Sequence, residues 1–181
     1  MRKNLIKDFA AYIEKTNKRF DAANINKQRM MIIEDAIIRI KSKNLKADTG
    51  DILDVNGFGF KFESSLKNII NSADNGCRVC AKGALFCSLI GRVNQITVGE
   101  FADNVNPNSI DSIEMIELQK YFSLEQIDLI ETAFEGCSYL EVIEPIENLK
   151  AESFHERYSD NELRMLAILD NMVENKGIFK P

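Results

Sequence analysis

Tryptophan is missing from this 181-residue chain, histidine occurs once, and proline occurs only three times. A single histidine, His155, excludes a histidine-rich metal centre. The scarcity of proline leaves long segments free to be helical. No run approaches the ~20 consecutive apolar residues that a membrane span needs. The opening residues Met1 to Asp8 are broken by Lys7 and Asp8 before any secretory signal core forms. Four cysteines, unevenly spread, do not form the dense framework of a small secreted domain, and the expected location is a reducing cytoplasm.

What is present is ordinary globular material, with 45% apolar and 28% charged residues and a net charge of −5. That balance predicts one soluble domain over residues 1–181, and it weighs against nucleic acid or an anionic membrane as partner. Leu5, Ile6, Phe9, Tyr12 and Ile13 recur at helical spacing and predict a first amphipathic helix over 3–20. Met30, Ile33, Ile37 and Ile40 predict a second over 26–42. Residues 43–51 read as a polar loop. Ile52 to Val55, Asn56-Gly57, and then Phe58, Phe60 and Phe62 in alternation predict a small β-hairpin near 52–62. A short helix follows over 65–72.

The middle of the chain carries three of the four cysteines. Asn75-Gly76 predicts a turn, after which Cys80, Gly83, Ala84, Cys87 and Gly91 recur along one face of a helix starting near Cys77. Val79, Leu85, Phe86, Leu89 and Ile90 cover the rest of its circumference, so the expectation is a core helix. Three chemical readings compete with it, the last-ranked a Cys77-x-x-Cys80 redox pair at a helix start, for which nothing before it reads as the strand of a βαβ unit. Cys77-x-x-Cys80 could bind a metal, completed by Cys87 with Cys137 or His155, but Cys80 and Cys87 are separated by about 10 Å of helical rise. Only Cys77 and Cys80 could share an ion, and no second pair accompanies them. Alternatively Cys77 or Cys80, with His155 as base oriented by Glu156 or Asp160, could act as the nucleophile of a hydrolase or line a small-ligand site.

Toward the C-terminus, residues 93–107 are a connection without a periodic signature, and a helix is predicted over 109–121. Ser123 with Gln126, and Ser159 with Glu162, each read as a helix N-cap with its reaching-back partner; Gly136 and Gly177 read as the matching stops. Glu131 and Glu135, one turn apart, read as a solvated acidic face. Cys80-Ala81-x-Gly83-Ala84, Ile130-Glu131-x-Ala133-Phe134-Glu135, Leu163-x-x-x-Ala167-Ile168-x-x-Asn171 and the closing Asn175-x-Gly177-x-Phe179-x-Pro181 resemble a set of small uncharacterised proteins of bacteriophages and other mobile elements. That resemblance covers the second half of the chain and brings no catalytic residue with it. It implies a role inside a bacterial cell, accessory to infection or element maintenance.

Together these readings predict a mainly α, compact multi-helix protein of about six to eight helices with one small hairpin. The expected function is non-enzymatic, with no cofactor, and the expected partner is another protein or a second copy of the chain.

Overall fold

The computed structural model describes residues 8–50, 52–54, 61–72, 77–93, 96–106, 109–140 and 142–181. The chain is mainly helical, with nine helices and one two-stranded parallel sheet among the described residues. None of these helices is long and apolar enough to cross a membrane.

Helix α1 (Phe9–Asp21) starts where the Asp8 carboxylate accepts the Ala11 N–H, and it buries Phe9, Ile13 and Phe20 along one stripe. Helix α2 (Ile25–Lys41) is capped by the Asn24 side chain and buries Ile32, Ile33, Ala36 and Ile40, close to the predicted span. The segment expected to be a polar loop contains strand β1 (Leu45–Ala47). It pairs in parallel with β2 (Cys77–Val79), Leu45 opposite Cys77 and Ala47 opposite Val79. Cys77 therefore lies in a strand, not at a helix start. Its buried neighbours leave no water for the backbone, and the β1 ladder supplies the partners instead. Most of the predicted hairpin, like the Asn75-Gly76 turn, lies outside the described residues. At the hairpin's flank Ile52 and Leu53 are buried, and Asp54 bridges Arg78 in antiparallel fashion.

Between these comes α3 (Leu66–Asn71), and after β2 the central helix α4 (Ala81–Val93). Every residue of α4 from Ala81 to Arg92 is buried, as an all-round apolar helix requires. It packs against α2 and α3, and against the later helices α6 (Ile113–Leu118) and α7 (Leu124–Glu135). The approach is close enough to dictate two residues. A Cβ at Gly83 would lie 1.7 Å from the Ile52 carbonyl oxygen, and one at Gly91 would lie 2.7 Å from an Arg39 nitrogen.

Helix α5 (Val98–Asn104) occupies the unassigned connection. It begins in a capping box, the Thr97 hydroxyl accepting the Glu100 N–H while the Glu100 carboxylate accepts the Thr97 N–H. Helix α6 is shorter than predicted. In α7 the Ser123 cap and the Gly136 stop hold, Ser123 accepting the Gln126 N–H and Gly136 ending the helix with φ +86°, whereas the Gln126 side chain, expected to reach back to the cap, pairs with the Phe179 backbone instead. Helix α8 (Pro145–Glu156) has no counterpart among the predicted elements; Pro145 sits in its first turn, where a missing N–H costs nothing. For α9 (Asn161–Glu174) the cap is Asp160, which accepts the Leu163 N–H at 2.8 Å, one residue later than the predicted Ser159. The helix stops at Glu174, and Lys176 and Gly177 both turn left-handed. A continuous apolar cluster runs from Phe20 in α1 through α4 to Phe179 in the C-terminal tail.

Candidate functional site

The predicted cysteine site is sealed. Cys77 in β2 is 1% exposed and Cys80, just before α4, is 2% exposed. The Cys80 sulfur accepts the Gly83 N–H at 3.3 Å. Burial pushes the Cys77 thiol up to about 11 and the Cys80 thiol up to about 12, and Cys87 rises in the same direction for the same reason. An activated nucleophile needs the opposite shift. His155, near the end of α8, has its Nδ1 2.8 Å from the Phe134 carbonyl. A carbonyl can only accept, so Nδ1 carries the proton. Arg164 donates to the same oxygen at 2.8 Å. Both side chains thus satisfy the open C-terminal end of α7. Asp160 is engaged as the α9 cap, and Glu156 is exposed. Cys137 lies exposed beyond α7. Among the described residues no three His, Cys, Asp or Glu side chains converge as a metal set.

Charge is concentrated instead in the interior. Lys82 of α4 and Glu131 of α7 lie 2.7 Å apart with side chains 0% and 3% exposed. Glu131 is therefore buried, which corrects the solvated acidic face expected for it. Burial raises its carboxyl to about 7, against the pull of Lys82 toward the ionised form. Glu135, one turn on and half-buried, accepts the Gly50 N–H on both oxygens at 3.1 and 3.2 Å. Asp128, also on α7, accepts from the Ser138 hydroxyl at 2.8 Å and from the Val142 N–H at 3.2 Å, which folds the loop after α7 back onto the helix. A second buried network centres on Asp35, held by Arg39 at 2.8 Å and Arg92 at 3.3 Å. Arg39 donates onward to Asn44 and Asn71. The Lys82–Glu131 pair and the Asp35 network are sealed from water and lock α2, α3, α4 and α7 together.

The outer surface is different. Val142, Ile146 and Leu149, spaced four and three apart, are 39%, 69% and 64% exposed. Val142, with Glu147 and Lys150 of α8, also lines a groove of about 570 Å³ formed by the start of α7, the first turns of α8 and the C-terminal tail. The tail is fixed. Phe179 is buried, its N–H donates to the Gln126 Oε1 at 2.7 Å, and its carbonyl accepts from Gln126 Nε2 at 3.3 Å. Asn171 holds the next residue, accepting the Lys180 N–H and donating to the Lys180 carbonyl.

The molecule is thus a mainly helical protein with a charge-locked interior and two exposed apolar side chains, Ile146 and Leu149, on one outer helix. No family model, curated protein or solved structure matches the chain. The α8 surface, which the sequence reading misses, does have one local signal: Pro145 followed by Ile146 and Leu149 is a helix start with apolar residues at i and i+3.

Proposed function

We propose that this chain is a non-enzymatic accessory protein that acts by protein–protein contact, with the first turns of α8 as its docking surface. The observation that carries this reading is the exposure of Ile146 and Leu149 on α8, with Val142 just before the helix lining a groove against the pinned tail. Phe62 and Leu163 are exposed to a similar degree, but Ile146 and Leu149 lie one turn apart on a single helix, and adjacent apolar side chains left in water mark an interaction site. The chemistry of the interior supports the non-enzymatic part, since the thiols of Cys77 and Cys80 are buried and held protonated.

The motifs that resemble proteins of bacteriophages and mobile elements fit the same reading. Gly83 admits the Ile52 carbonyl, Ala84 is fully buried, and Asn171 and Phe179 anchor the tail. Each packs or pins the scaffold, so what such proteins would share is a fold that carries variable surfaces. On this reading the chain serves a phage or mobile element inside a bacterial cell.

The test compares the tagged chain with an Ile146→Glu/Leu149→Glu variant in bacterial lysate, with retained proteins quantified by mass spectrometry. Both positions are mostly exposed, so the variant keeps the melting temperature of the parent. Proteins held by the parent and lost from the variant support the reading; identical sets overturn it.

A further inference from the structure

The C-terminal tail separates the α8 face from a second groove, and Ile178 lines both. This second groove, about 760 Å³, runs along the end of α1 and the first turns of α2. Its charge is concentrated and mostly positive: Arg19, Lys27, Arg29 and Lys176 line it against the single carboxylate of Glu34. The half-buried side chains of Met30 and Met31 form its apolar part. In a chain of net charge −5 such a basic patch is a local feature, not a reflection of composition. One of its cations is held in place. Arg29 Nε donates to the Tyr121 carbonyl at 2.5 Å, its guanidinium lies over the Phe122 ring, and its stem packs so tightly on Gly177 that a Cβ there would fall 2.7 Å from Arg29 Cδ. Arg29 therefore has little freedom left to lose when a ligand binds.

The surface across the tail has the complementary chemistry. From residue 144 to 156 it carries Glu144, Glu147, Glu152 and Glu156 against Lys150, with Ile146 and Leu149 projecting between them. An acidic helix with apolar anchors is the ligand that a basic, methionine-lined groove selects, because flexible thioethers mould to the anchors while the charges fix the register. The α8 helix cannot reach the groove of its own chain, since Ala151 and Phe154 bury it against the body of the protein and the pinned tail stands between.

We propose that the occupant is a second copy: two chains pair about a twofold axis at the tail, and α8 of each lies in the α1–α2 groove of the other. Because the two complementary surfaces flank the same tail, one rotation satisfies both at once and the assembly closes as a dimer instead of growing into a fibre. Ile178, 41% exposed and common to both grooves, meets its own counterpart at the axis. This rests on the docking role of α8 above and assigns its partner.

Sedimentation equilibrium of the purified full chain, without lysate, tests the pairing. The expected mass is twice the 20.6 kDa of the chain, shifting toward the monomer as salt screens the contacts. Lys27→Glu/Lys176→Glu and Glu144→Lys/Glu147→Lys should each weaken the dimer roughly tenfold or more. Combining all four restores it, which a folding defect could not do. In a Cys137→Ser background, Ile178→Cys should cross-link the dimer under mild oxidation. A monomer at every concentration overturns the proposal, and so does a dimer indifferent to both charge reversals. A monomeric chain that still loses lysate proteins on Ile146→Glu/Leu149→Glu overturns the pairing alone and leaves the docking role of α8 standing.

Discussion

The Lys82 ammonium and the Glu131 carboxylate meet 2.7 Å apart in the interior, joining the central helix α4 to α7 with both side chains shut off from water. Removing two ions from water costs several kcal/mol each, and their attraction offsets that cost only while both are present. Lys82→Met alone leaves a buried carboxyl without its cation and should cost about 3–5 kcal/mol in urea denaturation. The double replacement Lys82→Met/Glu131→Leu removes both desolvation costs and should recover most of that loss or exceed the parent. A single variant as stable as the parent would show that the pair is not engaged in solution.

Stability should depend on pH through the same carboxyl. Unfolded, Glu131 releases its proton near 4.5; folded, burial holds it to about 7. The folded state therefore binds the proton more tightly, and this contribution is fully present below about pH 4.5 and lost as pH rises through 7. Glu135, raised by burial as well, acts with the same sign. Urea midpoints measured from pH 4.5 to 8 should fall across the window, and Glu131→Gln should flatten the fall. An equal slope in the variant would remove Glu131 as its source.

Two glycines separate close packing from backbone strain. In a helix interior Gly→Ala ordinarily stabilises by up to about 1 kcal/mol, yet Gly83→Ala would drive a methyl to 1.7 Å from the Ile52 carbonyl oxygen. The expected loss is about 3 kcal/mol or more. Gly50 has φ +94°, and a methyl placed there would meet nothing within 4 Å, so Gly50→Ala faces only the left-handed strain of about 1–2 kcal/mol. Thermal melts of both variants check the order.

The cysteines should divide three to one. Ellman's reagent should label only the exposed Cys137 in the native protein and all four thiols after denaturation. Cys137→Ser should lie within about 0.5 kcal/mol of the parent. Cys87→Ser, which buries a hydroxyl at a fully enclosed site, should cost about 1–3 kcal/mol. Fast native labelling of Cys80 would contradict its burial and reopen the nucleophile reading.

The sequence by itself determined whatever rests on neighbours in the chain. The stripes of α1 and α2, the Ser123 cap and Gly136 stop of α7, and the all-round burial of α4 follow from side chains three and four residues apart or from one residue's backbone freedom. The Thr97–Glu100 box of α5 belongs to the same legible kind, although the connection around it shows no period. Tertiary structure alone decided the rest. Strands of three residues paired in parallel leave no periodic trace, so β1 and β2 exist only because folding brings Leu45 beside Cys77. Whether Ser159 or Asp160 caps α9 depends on which oxygen reaches the Leu163 N–H once the helix is packed. Glu131 reads as a surface charge because its cation lies on a different helix. The grooves on either side of Ile178 likewise assemble from α1, α2, α7, α8 and the tail. Burial and charge pairing are properties of neighbours in space, and only the packed chain chooses those.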